Sequence, residues 1–179
     1  MKSKINLSLS SVEKLANELM SKHFKLTDIY GNNHTYSAKE LGYTFKWDTA
    51  KTRNGKINYN KRIISLSKLR VEANIDKIDT VIKNTILHEI AHAFSFEIYG
   101  RDGLGHGTRW KITATQIGCN GQRCTSGYES VKESKYTLLC NICGREIKKH
   151  RKPKFKMSCG KCSPKVYNEK YLLKVIQNF

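Results

Sequence analysis

Acidic residues are scarce in this chain. Fifteen aspartates and glutamates face 33 lysines and arginines, for a formal charge of +18. Such an imbalance disfavours basic partners and points to a polyanion, because neutralising phosphates releases condensed counterions. The excess is uneven: residues 132–179 hold 13 basic and 3 acidic side chains. Long apolar runs are also missing. None approaches the roughly 18 residues of a membrane span, and Met1-Lys2-Ser3-Lys4-Ile5-Asn6 lacks the apolar stretch of a secretory signal. With no strongly amphipathic basic helix either, a membrane surface is a poor partner. The expectation is a soluble cytoplasmic monomer, associated with DNA (nuclear in a eukaryote). In such a compartment the six cysteines should be reduced, and their spacing suggests metal before disulfides.

What is present centres on Thr85-Ile86-Leu87-His88-Glu89-Ile90-Ala91-His92. Residues four apart share a helix face, so His88 and His92 can grip one metal ion, with Glu89 placed to take a proton from a water there. Apolar residues from Ile82 to Ile98 surround the helix almost completely, which marks it as buried. Two imidazoles and a carboxylate in that setting are costly unless paired or bound to metal.

Upstream, Ser10–Phe24 reads as an amphipathic helix with a Ser10/Glu13 capping box. A loop around Gly31-Asn32-Asn33 contains His34, to which no role is assigned. Tyr43–Trp47, Gly55–Tyr59 and Arg62–Leu66 read as antiparallel strands, with Asn54-Gly55 as a hairpin turn. Asp76 and Asp79 offer N-caps for the central helix. A glycine-rich loop from Gly100 leads to His106, and a further helix is expected from Gly107 to Ile117, stopped by Gly118.

A catalytic zinc usually takes three protein ligands and keeps a fourth position for water. Six residues beyond His92, where one large class of zinc proteases has its third histidine, stands Ile98. A downstream glutamate is no better, since no acidic residue occurs between Gly103 and Tyr128. His106 remains, on a loop free to swing back, or else a histidine capping its own helix.

Near the C-terminus, Cys140-Asn141-Ile142-Cys143 and Cys159-Gly160-Lys161-Cys162 form two C-x2-C knuckles. Four thiolates so spaced can close a tetrahedral structural zinc as in a zinc ribbon. A module that small buries too little surface to fold without it. Between the knuckles lie Lys148, Lys149, Arg151, Lys152, Lys154 and Lys156 with Phe155, suited to phosphate contact and base stacking or else a solvated loop. Cys119 and Cys124 fit no metal pattern and read as buried reduced thiols.

His88-Glu89-Ile90-Ala91-His92 followed by Gly105-His106-Gly107-Thr108-Arg109-Trp110 resembles the SprT-like metallopeptidase family, which includes Spartan. The stretch from Leu41 to Ser67 resembles the sheet before that family's metal helix. With the knuckles, the resemblance covers about residues 10–167. It implies an α+β, zincin-like core at residues 1–131, a small antiparallel sheet packed on the His-Glu-x-x-His helix. A zinc ribbon would follow at 132–179. It further implies a catalytic zinc on His88, His92 and His106 beside the structural one, with Glu89 as general base. The expected activity is that of a zinc endopeptidase acting on proteins bound or crosslinked to DNA, single-stranded or branched, and stimulated by it. The competing reading is a nucleic-acid-binding or regulatory protein whose histidine site is idle.

Overall fold

The computed structural model describes residues 8–123, 127–128 and 134–179. The chain divides into two compact units, Met1–Val131 and Lys132–Phe179. The first combines helices with small sheets and the second is a small sheet with one 3-10 turn, so the class is α+β.

In the first unit, α1 (Leu9–Ser21) buries Val12, Ala16 and Met20 at helical spacing. Its cap is Ser8, whose hydroxyl accepts from the Ser11 amide, so the Ser10/Glu13 capping box expected from sequence does not form. The helix also ends before Phe24, which belongs to β1 (Phe24–Thr27). There the ring lies 5.8 Å from Phe94 and joins the core, a burial that extending the helix could not supply. β1 pairs antiparallel with β2 (Asn33–Tyr36) where only a loop was expected. The turn is tied by Asp28, which accepts from the Tyr30 and Asn32 amides and meets His34 Nε2 at 3.1 Å. His34 thus has a local structural partner.

The main sheet corrects the expected topology. β3 (Thr44–Asp48), β4 (Gly55–Asn58) and β5 (Ile63–Ser67) are ordered β3-β5-β4, and β3 runs parallel to β5. Only β4 and β5 are antiparallel, joined by a turn at Tyr59–Arg62 rather than at Asn54-Gly55. Alternation in sequence sets which face a strand shows, but not its neighbour. Burial decides that here. β5 hides four of its five residues and takes the centre, while β4 (Gly-Lys-Ile-Asn) stays at the edge.

After α2 (Lys68–Glu72), the chain enters the central helix through one turn of 3-10 and one of π-helix, Ile75–Lys77 and Ile78–Ile82. Neither Asp76 nor Asp79 caps it; apolar packing of Ile78 and Ile82 does the anchoring. α3 (Lys83–Tyr99) is buried continuously from Thr85 to Ser95, as its all-round apolar surface demands. It packs against α1, β4, β5 and α4 (Thr108–Gln116).

The turn after α3 fixes the return of the chain. Gly103 presses on the helix end so closely that an added Cβ would meet the Ser95 carbonyl oxygen at 2.0 Å. Ser95 Oγ donates to the Gly103 carbonyl across the same contact. Backbone cannot yield there as a side chain can, so Gly103→Ala should cost about 2 kcal/mol, as overpacking commonly does. It should also loosen zinc, because His106 follows three residues later. Thermal melting and zinc titration check the two effects.

In the second unit, β6 (Tyr136–Cys140) is flanked by β7 (Glu146–Lys149) and β8 (Leu173–Gln177), all antiparallel. Among the described residues its buried core is Leu138, Cys140, Cys159 and Leu173. Among the described residues no helix is long and apolar enough to cross a membrane.

Candidate metal and catalytic site

α3 carries His88 and His92 one turn apart, and the loop stapled at Gly103 brings His106 to them. The three Nε2 atoms lie 3.2 Å (His88–His92), 3.1 Å (His92–His106) and 2.9 Å (His88–His106) from one another. Neutral imidazoles converging this way cannot satisfy each other, since each pair of nitrogens shares at most one proton. A tetrahedral zinc with nitrogen bonds of about 2.0–2.1 Å places its ligand nitrogens about 3.3 Å apart. The donor set therefore fits the ion the sequence implied, within a few tenths of an ångström.

Burial keeps the imidazoles neutral and ready to ligate. Desolvation first, then the neighbouring His106, lowers His88 to about 4. Desolvation, His88 and His106 lower His92 to about 3. His106, exposed on its loop, is lowered too, by partial desolvation and by the charge of Arg123. Nδ1 of His88 and of His92 is buried without a hydrogen-bond partner. The Gln122 carbonyl favours His88 protonation but falls short of hydrogen-bond geometry, leaving that nitrogen unpaired.

Trp110 forms the floor, a role that sequence reasoning did not give it. Its ring centroid lies 4.7, 5.2 and 4.6 Å from those of His88, His92 and His106. It is fully buried on α4, so one rigid aromatic surface backs all three ligands. Its place four residues after His106 was the available signal.

Glu89 is 6% exposed. Burial pushes its carboxyl up to about 8, with Arg53 opposing and Asp48 reinforcing; a divalent cation nearby would restore the carboxylate. Its neighbour is β4. A Cβ on Gly55 would stand 2.7 Å from Glu89 Oε1 and 2.9 Å from its Cγ. The glycine read as half of a turn is thus the clearance that lets the sheet edge lie against this carboxylate. Gly55→Ala should leave zinc content intact yet lower turnover by about 10²-fold, the scale of an ångström misplacement. Metal analysis beside peptide hydrolysis tests it.

In the second unit the four knuckle thiols converge. Sγ of Cys140 and Cys162 are 3.8 Å apart, those of Cys143 and Cys159 3.6 Å, and all four lie within 4.8 Å of one another. Zinc–sulfur bonds of about 2.3 Å in a tetrahedron give separations of about 3.8 Å, so this donor set fits as well. All four are free thiols. Backbone amides of the knuckles favour thiolates: Cys143 N–H lowers Cys140, and Cys162 N–H leads in holding Cys159 near about 6. Interaction with Cys143 and the other sulfurs pushes Cys162 up to about 12, a crowding that a bound cation relieves.

Lys148, Lys149, Arg151, Lys152, Lys154 and Lys156 are all exposed, as is Phe155. Cys119 is a buried free thiol, while Cys124 lies outside the described residues.

The fold and the two donor sets define an α+β protein with a three-histidine site and a four-cysteine site, each able to hold a metal ion. Residues 21–131 match the model of the SprT-like family. That is more than half of the chain, which therefore belongs to the SprT-like family, a family of metallopeptidase-like domains. No curated protein and no solved structure matches it.

Proposed function

We propose that this protein is a zincin-like, zinc-dependent endopeptidase that acts on proteins bound or crosslinked to DNA. The observation that carries the reading is the buried Glu89 beside three converging imidazoles, at the edge of an open cleft of about 540 Å³. A purely structural histidine site has no use for a carboxylate that does not ligate.

His88, His92 and His106 would hold the zinc, which when bound supplies Lewis acidity to a carbonyl and to water. Glu89 takes the proton of the attacking water and passes it to the leaving amine. β4 is hydrogen-bonded to β5 on one side only, so its free edge can align an extended substrate by backbone pairing. Trp110 and the Gly103 contact hold the ligands still while this occurs.

The second unit is a zinc ribbon on this reading, held by Cys140, Cys143, Cys159 and Cys162. Exposed Lys148, Lys149, Arg151, Lys152, Lys154 and Lys156 support recruitment to single-stranded or branched DNA, with Phe155 as a stacking surface. Such a protein would work as a monomer wherever the DNA is: in the cytoplasm on the nucleoid, or in a nucleus. The direct test is cleavage of a DNA-binding protein, with and without single-stranded DNA. Faster cleavage with DNA supports recruitment; identical rates remove DNA from the proposal. No cleavage, with zinc and DNA both bound, would favour a non-catalytic nucleic-acid-binding or regulatory protein.

A further inference from the structure

We propose that the cleft beside Glu89 selects acidic peptide segments, receiving an aspartate or glutamate side chain next to the scissile bond on a wall formed by Arg70, Lys56 and Arg123. The inference rests on the peptidase reading above and names its substrate class.

Among the described residues four cations line the cleft, Arg53, Lys56, Arg70 and Arg123, and Glu89 is the one acid. Arg53 is occupied, with Nη2 2.6 Å from Asp48 Oδ2. Arg70 has no acidic partner among the described residues, yet it is held firmly. Its Nε donates to Asn54 Oδ1, its Nη1 reaches the Lys51 carbonyl at 3.5 Å, and its guanidinium lies 5.3 Å from the Tyr128 ring. Every one of these partners is uncharged. A cation oriented by neutral groups keeps its charge for a ligand and loses little freedom on binding one.

Its place follows from the same contacts. Asn54 immediately precedes Gly55, the residue that abuts Glu89, so Arg70 stands where β4 begins, beside the candidate general base. Lys56 comes next along that edge strand. Arg123 also lines the cleft, close enough to His106 for its charge to act on the ring. Among the described residues neither Lys56 nor Arg123 is in an ion pair. A strand laid on the free edge of β4 would therefore run beside three uncompensated cations.

A concave site lined by one sign of charge focuses its field, attracting a carboxylate and repelling a lysine or arginine. Discrimination comes as much from that repulsion as from attraction. The polybasic tails of DNA-binding proteins should then be poor substrates, and cuts should fall in their acidic or neutral segments.

The test uses the zinc-loaded full chain and three fluorogenic peptides that differ only in Asp, Ser or Lys beside the cleavable bond. Expected is kcat/KM in the order Asp, Ser, Lys, with Asp over Lys by about tenfold at low salt and less as salt screens the wall. Arg70→Gln and Arg123→Ser should each shrink that ratio mainly through KM, and Arg70→Lys should keep most of it. Melting curves identify any variant that fails to fold. Binding of the same peptides to the Glu89→Gln protein, followed by fluorescence anisotropy, should rank them identically. If no peptide is cut but the acidic one still binds best, the peptidase reading fails and the acidic selectivity stands. Equal cleavage and equal binding of all three would overturn the selectivity and leave the peptidase reading intact. Displacement of all three alike by a short oligonucleotide would assign the wall to phosphate and overturn it too.

Discussion

Glu89→Gln should bind as much zinc as the wild type and cleave nothing measurable. The substitution keeps the side chain's volume, so the contact with Gly55 and the packing of α3 persist. Among the described residues it removes the one carboxylate in the cleft able to accept a proton from water beside the three histidines. General-base catalysis contributes about 10²–10⁴-fold, and Glu89 serves both the attack and the departure of the amine, so the loss should sit at the upper end. Zinc content by metal analysis and hydrolysis of a peptide, measured on the same preparation, decide the matter. Wild-type rates from the variant would end the mechanism. Loss of zinc together with activity would mean that Glu89 positions the ligands instead.

Removing the metal from the four thiols should unfold residues 132–179 altogether. Four buried residues make up that unit's core, and two of them are the cysteines themselves. So little apolar surface cannot offset the ordering of some 48 residues. Structural zinc, by contrast, contributes about 10–16 kcal/mol in small modules of this kind. Cys159→Ser should therefore abolish amide-exchange protection along β6, β7 and β8. α1, α3 and the main sheet should stay protected, because their core of aliphatic and aromatic side chains does not depend on those thiols. Retention of the β6–β8 protection would show that the sheet is stable without its metal. Simultaneous loss of protection in both units would show that they do not fold independently. On the DNA reading, the variant should also lose stimulation by DNA while keeping basal hydrolysis.

Much of the site was legible in the chain itself. Spacing of four put His88 and His92 on one face of a helix, and the two C-x2-C knuckles announced a four-thiol cluster. These signals are local, set by helix pitch and by the reach of a tight turn. The unbroken apolar surface of α3 likewise told of its burial. What failed to show were relations between distant segments. Gly55 looked like a turn residue until the fold laid it on Glu89, and Trp110 had no role of its own until three imidazoles proved to rest on it. Ser8 took the cap from Ser10, and Phe24 left its helix because the strand pairing and the Phe94 contact outweighed local preference. The parallel pairing of β3 with β5 was hidden for the same reason: alternation encodes a face and not a neighbour.

The sequence by itself determined the donors: which imidazoles, which thiols and which carboxylate, because ligand chemistry is a property of side chains at fixed local spacing. Only the tertiary structure decided how they meet. It brought His106 back through the Gly103 contact, set β4 against Glu89, and gathered Arg70, Lys56 and Arg123 around one cleft. Those placements depend on burial and close packing between segments tens of residues apart, where no single stretch of chain carries the information.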